Sequence, residues 1–343
     1  METRGFLLFF ILSVILKLGL RAALTKDFFG VNRRGPIVEF EKLKMKNEKL
    51  ANIKELLSEV EENISLAQFT TFRIGGNAKY FFIAKSKEDI IKAIKAVQQC
   101  DLPFFILANG SNVLFSDKGF DGLVIKLENT KCELNANIIY ADAGVKLHTM
   151  VDIATEAELS GMEWANGIPG TIGGAVRGNA GAFNSSMSKI VKTIEVLDVL
   201  TSKIKNYEAK DCGFGYRDSI FKKNRNLIIL SIEIQLQKEN KDKIKEQIKK
   251  YRDYRKEQHP LELPSAGSIF KNPLKFSAGE LIEKCGLKGR KIGKAQISEK
   301  HCNFILNLGG ATAKDVLSLI KLAKEKVKEN FGVELEEEIV IPN

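Results

Sequence analysis

The chain has 343 residues, 44% of them hydrophobic and 28% charged, with a formal net charge of +10. That length supports two or three compact units with cores of their own, and the absence of a dense basic run interleaved with aromatics argues against a nucleic-acid partner. Five scattered cysteines without a Cys-x-x-Cys pair, and three scattered histidines, predict reduced thiols and no metal site.

The first 45 residues carry eight basic and four acidic side chains. Residues Gly5 to Leu16 are apolar apart from Ser13, shorter than the roughly 20 residues a membrane span needs. A signal or anchor, an interfacial segment and translated sequence upstream of a start at Met45 all fit; the last is preferred because the remainder reads as cytoplasmic. Membrane association is expected only if this segment is present in the native protein.

A charged, Leu-bearing stretch from Glu48 to Glu62 predicts a helix. Lys79 to Ala84 reads as a buried strand, Ser86 as the N-cap of a helix presenting Ile90, Ile91, Ile94 and Val97, and Phe104 to Ala108 as a strand, together a βαβ unit. The turn-forming Asn109-Gly110-Ser111-Asn112 follows. Strands at Leu123 to Leu127 and Ile138 to Ala141 lead to an amphipathic helix near Leu147 to Leu159.

Gly167 to Phe183 holds six glycines among Ile, Ala, Val and Phe, which predicts a packed loop rather than a flexible linker. Positive-φ turns with unshielded N–H groups would let it cradle a phosphate; a purely structural tight turn is the alternative. It is neither a dinucleotide fingerprint nor a P-loop. Strands near Ile190 to Val199 and Leu227 to Leu236 come next. The polar helix Lys238 to Lys256, ended by His259-Pro260, reads as a boundary. Helices near Ala278 to Cys285 and Lys314 to Asn330, a strand at Phe304 to Asn307 and a last strand at Glu334 to Ile341 complete an α+β chain.

Three further places could carry chemistry. Arg217 lies between Tyr216 and Asp218, where a turn-bound pair with Asp218 is the plain reading. Ser268 follows a glycine and precedes Lys271-Asn272-Pro273; a lone serine is usually a turn or cap residue, and no nucleophile elbow surrounds it. Glu336-Glu337-Glu338 abuts the apolar Ile339 to Ile341, so alternation turns one or two carboxylates inward.

In order along the chain, Thr70 to Gly76, Asn109 to Asn112, the glycine run ending Asn179-Ala180-Gly181-Ala182-Phe183, and Tyr216-Arg217-Asp218-Ser219-Ile220-Phe221-Lys222 resemble the UDP-N-acetylenolpyruvoylglucosamine reductase (MurB) family. So do Ala266 to Pro273, Ala295 to Phe304 and Gly332 to Glu338. The resemblance implies a two-subdomain FAD-binding α+β fold of the vanillyl-alcohol-oxidase (PCMH) type with a C-terminal α+β substrate domain. On that reading residues 1–47 are an extension, 48–237 the FAD-binding region with a subdomain boundary near 120–135, and 238–343 the substrate-binding domain.

It further implies a cytoplasmic, monomeric enzyme with non-covalent FAD. NADPH and the UDP-sugar would use the flavin in turn, the enolpyruvyl ether of UDP-N-acetylglucosamine enolpyruvate being reduced to UDP-N-acetylmuramate for peptidoglycan. Position by position, Ser268 matches the proton donor, and Arg217 and Glu338 the charged pair at the enolpyruvyl carboxylate. Tyr216, Lys271, Asn272 and Gln296 match substrate contacts. Asn109, Gly110, Ser111, Asn112, Gly170, Thr171, Gly173, Gly174, Asn179, Ala180 and Gly181 match the cofactor-binding segments.

Glu338 beside a substrate carboxylate is expected to hold a proton or a hydrogen bond. Arg177-Gly178 departs from the family pattern, as does Ile339-Val340, where Val-Arg is common. No counterpart is visible for the tyrosine-bearing substrate loop of one subgroup, which implies the subgroup lacking it. The alternatives are a sugar or alcohol oxidase of the same fold, marked by peroxide production, and a catalytically idle UDP-sugar-binding scaffold, marked by binding without flavin.

Overall fold

A computed structural model describes residues 53–342; the expectations for residues 1–47 and for the start of the 48–62 helix lie outside them. Within that helix's range only residues 53–56 are helical, and an antiparallel edge strand β1 (Glu61–Ser65) follows. Edge strands tolerate charge because one side faces water, so Glu61 and Glu62 did not announce it.

The first sheet has the order β1–β2–β4–β3, with β2 (Asn77–Ala84), β3 (Phe104–Leu107) and β4 (Phe120–Leu127) parallel to one another. The βαβ unit is therefore real but split: β4 inserts between the two strands joined by α1 (Lys87–Gln99). Ser86 caps α1 in a capping box with Asp89, which satisfies two otherwise unpaired donors. Ile90, Ile94 and Val97 are buried as expected, while Ile91 is half-buried.

The second sheet is antiparallel, in the order β11–β10–β12–β6–β5. It comprises β5 (Cys132–Asn135), β6 (Ile138–Asp142), β10 (Val191–Asp198), β11 (Lys203–Glu208) and β12 (Leu227–Gln235). The polar strands β5 and β11 lie at its edges and carry no apolar periodicity to read.

Between β6 and β10 run α2 (Leu147–Glu156), the short strand β7 (Leu159–Ser160), α3 (Ile172–Arg177) and the hairpin β8 (Gly181–Ala182) to β9 (Ser185–Ser186). The glycine run is thus not wholly a loop: it contains α3, capped by Thr171, which accepts from Gly174 N at 3.3 Å. After β11 comes α4 (Ile220–Lys223). β13 (Gln237–Lys238) pairs with β7 and leads into α5 (Lys241–Gln258), capped by Asn240. This polar helix is held to the glycine-run side by buried Arg255, which donates to Trp164 O (2.8 Å) and Asn166 O (3.1 Å).

The third sheet is β14–β17–β16–β15, formed by β14 (Ser265–Ser268), β15 (Lys291–Ile292), β16 (Ala295–Ile297) and β17 (Phe304–Asn307). It packs with α6 (Ala278–Lys284) and α7 (Ala313–Phe331), whose Gly332 cap at φ +67 ends the helix. The same apolar cluster takes in Phe72, Ile74 and Leu114 beside Ile269, Phe270, Leu319 and Ile339. One continuous core therefore ties the third sheet to segments next to the first. The final strand expected over Glu334 to Ile341 forms only isolated bridges, Phe270 to Glu337 and Val113 to Val340. It is a seam, bonded to different partners on its two sides.

Candidate active site

Asn109 to Asn112 leave the end of β3 in a turn at which Gly110 has φ +63. A Cβ there would collide with Phe69 O and lie 2.9 Å from Thr70 Cα. Only glycine fits both the left-handed backbone and the close approach. Among the described residues, no backbone carbonyl takes the N–H groups of Gly110, Ser111, Asn112 or Val113. Successive free N–H groups make an anion-binding concavity.

The second glycine segment meets this turn. A Cβ on Gly170 would lie 3.6 Å from Ser111 Oγ, and one on Gly174 3.9 Å from Ala108 Cβ, so loops some sixty residues apart share one place. Its glycines work differently from the expectation, because only Gly167 in the run has positive φ. Ile172 N and Gly173 N donate to Val145 O (2.8 Å) and Ala143 O (3.0 Å). A Cβ on Gly173 would be 2.7 Å from Ala143 Cβ. Gly173 is there for packing, and these N–H groups are already used.

Ala180 N donates to Ala175 O at 2.8 Å, and Gly181 sits in the β8–β9 hairpin, where a Cβ would collide with Ser185 O. Buried Asn179 spans outward: its amide donates to Gly215 O (2.8 Å) and accepts from Ser188 N (3.0 Å).

That bond leads to the charged side of the site. Gly215 and Asp218 exchange backbone hydrogen bonds of 3.0 and 3.3 Å, closing a turn in which Arg217 takes φ +54. For a non-glycine this costs about 1–2 kcal/mol, and such strain persists only where surroundings impose it. Here they do. Asn179 holds Gly215, and fully buried Ser219 donates from Oγ to Arg177 O at 2.6 Å.

Arg217 Nε lies 2.8 Å from Glu338 Oε1, yet its N–H is not aimed along that line, and Nε is a buried donor without a hydrogen-bond partner. Asp218 pairs instead with Lys223 at 2.7 Å, so the plain Arg217–Asp218 reading is replaced.

Burial pushes the Glu338 carboxyl above its ordinary value, with Arg217, Lys222 and Lys271 opposing the rise. The direction agrees with the expected proton, but the protein alone causes it. Lys222, which sequence reasoning passed over although it ends the Tyr216–Lys222 motif, donates to Arg217 O at 3.1 Å. Its own pKa is pushed down by burial and by Lys271.

Ser268 ends β14 after Gly267 at φ +75. The C-terminal seam brings Glu338 beside it: Glu338 N donates to Ile269 O (2.8 Å), while Asn112 Nδ2 donates to Glu338 O (3.1 Å) and Val340 N to Asn112 O (3.0 Å). The seam thus touches the open glycine turn on one side and the serine strand on the other. The three consecutive glutamates each take a different base: Glu336 pairs with Lys271, Glu337 with Lys324 (2.7 Å) and Glu338 with Arg217.

Tyr216 is exposed, its ring 5.3 Å from the Arg217 guanidinium, and its hydroxyl accepts from Asn272 N at 3.3 Å. Asn272 Oδ1 also accepts from Ala278 N (3.1 Å), and buried Gln296 donates to Gly289 O (3.2 Å). Buried Asn303, also missed, clamps Phe270 N and O at 2.9 and 2.8 Å, fixing the chain just past Ser268.

A backbone cradle between two sheets, with a third sheet presenting a serine next to a guanidinium–carboxyl pair, defines a flavoprotein oxidoreductase of the two-subdomain α+β class. The family model for an FAD binding domain matches residues 78–205, and that for the C-terminal domain of UDP-N-acetylenolpyruvoylglucosamine reductase matches 259–342. The reductase of Caldanaerobacter subterraneus subsp. tengcongensis is 43% identical over 292 residues, 84% of this chain and 96% of the relative. That of Anoxybacillus flavithermus is 42% identical over 286 residues, 82% and 94% of the two. The crystal structure of the Thermus caldophilus reductase (MurB) superposes with a TM-score of 0.72 at 34% identity, covering 83% of this chain and 99% of that one. The chain belongs to the UDP-N-acetylenolpyruvoylglucosamine reductase family.

Proposed function

We propose that this chain reduces UDP-N-acetylglucosamine enolpyruvate to UDP-N-acetylmuramate, with NADPH as reductant and FAD as resident cofactor, in peptidoglycan precursor synthesis. The observation that carries the reading is the seam of residues 336–340. It joins the open Asn109–Asn112 turn to the Ser268 strand and sets Glu338 against Arg217.

The free N–H groups after Gly110 suit the pyrophosphate oxygens of FAD, and the space a Cβ would occupy there is closed by Phe69 and Thr70. Bound FAD would supply the hydride chemistry. The protein's own part is electrostatic and protic. Hydride arriving at the methylene carbon of the enolpyruvyl group leaves negative charge on the neighbouring carbon and its carboxylate. Arg217, whose Nε lacks a hydrogen-bond partner, binds that carboxylate, and a preorganised donor there lowers the barrier. Glu338, favoured in its protonated form by burial, adds a hydrogen bond instead of a repelling charge. Ser268 delivers its proton to the carbon carrying the charge and regains one from water. Tyr216, Lys271, Asn272 and Gln296 line the substrate side.

On this reading the chain up to α5, which is held to the glycine-run side, serves the cofactor, and residues 259–342 serve the substrate. Among the described residues no helix is long and apolar enough to cross a membrane; a cytoplasmic location follows from the ligands proposed. Anaerobic mixing tests the reading: NADPH bleaches the flavin, and the UDP-enolpyruvyl sugar restores its absorbance. A flavin that the sugar does not reoxidise, or peroxide formed from a sugar without NADPH, defeats it.

A further inference from the structure

Arg177 ends α3, and the Ser219 hydroxyl bonded to its carbonyl fixes that end against the Tyr216–Lys222 turn. The six residues of α3 separate it from the Gly170–Thr171 end by roughly 8 Å at 1.5 Å per residue. The Arg177 end of the helix backbone therefore stands at the charged turn, and its guanidinium bears on Lys222 of that turn.

On this side of the site Arg217, Lys223 and Lys271 each have a carboxylate partner. Among the described residues, Arg177 and Lys222 have no ion pair with a carboxylate. Both are half-buried, and Arg177 makes no side-chain hydrogen bond to a described residue, while Lys222 donates only to Arg217 O. The charge that bears on Arg177 is the cation Arg225, while Lys222 feels the cations Lys271 and Arg177 and, against them, the carboxylates Glu338 and Glu336, neither of them in an ion pair with it. Burying like charges without a counter-charge is costly, and an arginine cannot shed its proton to escape.

We propose that Arg177 and Lys222 are a phosphate-binding pair whose ligand is the diphosphate of the nucleoside-diphosphate sugar. The proposal rests on the function given above and deepens it. A guanidinium grips two phosphate oxygens in a fork and the ammonium serves as a point charge beside it. The diphosphate supplies the direct anionic partner that neither side chain has among the described residues. The other phosphate that visits the site, the 2′-phosphate of NADPH, has the same chemistry and is the competing source.

The test uses the flavin-loaded protein. UDP and uridine are titrated separately against wild type, Arg177→Gln and Lys222→Gln, with binding followed by calorimetry and flavin content by absorbance. UDP affinity falls tenfold or more in each variant, uridine affinity stays at the wild-type value, and flavin content is unchanged. Arg177→Lys keeps a charge and recovers part of the UDP affinity, which guards against a folding artefact.

A loss of preference for NADPH over NADH, with UDP affinity intact, moves the pair to the reductant's 2′-phosphate and overturns the diphosphate assignment. Unchanged UDP affinity in the two Gln variants overturns it too, as does loss of flavin with UDP affinity retained. Turnover of the enolpyruvyl substrate by wild type is scored apart. A protein that binds UDP through Arg177 but leaves that substrate unreduced breaks the function and keeps the pair.

Discussion

The two sides of the site are built from different materials. The Asn109–Val113 turn offers backbone N–H groups made accessible by a glycine with φ +63, whereas Arg217, Glu338, Lys222 and Lys271 offer charged side chains carried on a strained turn, a seam, the one-turn helix α4 and the segment after β14. A backbone cradle is specified by what is missing, a Cβ, and it binds a group common to many cofactors. Side-chain charges discriminate, and they need second-line anchors such as Asn179, Ser219 and Asn303 to hold them. The difference shows why the two sides should fail differently when altered.

The largest expected effect is on the charged side. Ser268→Ala slows flavin reoxidation by the UDP-enolpyruvyl sugar by about 10²–10⁴-fold while leaving reduction by NADPH in place, as read by anaerobic stopped flow. Equal slowing of both half-reactions would show that the serine serves the cofactor side as well. Arg217→Ala costs the same half-reaction about 10²–10³-fold and keeps the flavin bound; flavin loss would blur the division.

On the backbone side, Gly110→Ala expels the cofactor, because the new methyl meets Phe69 O; the purified protein is colourless. Gly173→Ala should instead cost stability, about 1–3 kcal/mol for overpacking against Ala143, seen as a lower Tm in the flavin-free protein. If Gly110→Ala stays yellow, the cradle has been misplaced.

The smallest effect concerns protons. Burial raises Glu338 above the ordinary glutamate value of 4.5, so the folded state holds this proton more tightly than the unfolded chain. Its contribution is complete below that value and is lost as pH rises through the raised one. Glu338→Gln therefore gains Tm relative to wild type as pH climbs through that window; a difference that ignores pH would mean that folding does not shift this carboxyl. His259 supplies a contrast outside the site: burial lowers it to about 4, so its stabilisation is present above pH 6.5 and declines as pH falls toward about 4.

Legibility followed the same division. Buried elements were readable because apolar periodicity reports them: β2, α1 and α7 lie where Phe81, Ile90 and Val316 demand. The edge strands β5 and β11 expose polar residues on both faces and left no pattern. The short helix α3 was hidden because its glycines usually argue against helix, and only the approach of Ala143 shows why Gly173 is there. Among site residues, Arg217, Ser268 and Glu338 came from ordered motifs, whereas Lys222, Ser219 and Asn303 sat inside those motifs without a visible task.

By itself the sequence determined the elements with strong period, the order of the motifs and the family they resemble, since local propensity and collinear residues are one-dimensional properties. Tertiary structure alone decided that the two glycine segments meet, that the acidic run distributes its three carboxylates to three bases, and that the Arg177 end of α3 is fastened to the Tyr216–Lys222 turn. Those are outcomes of chain crossing and helix direction, and pairings between residues dozens to hundreds of positions apart leave no mark on either partner's neighbours.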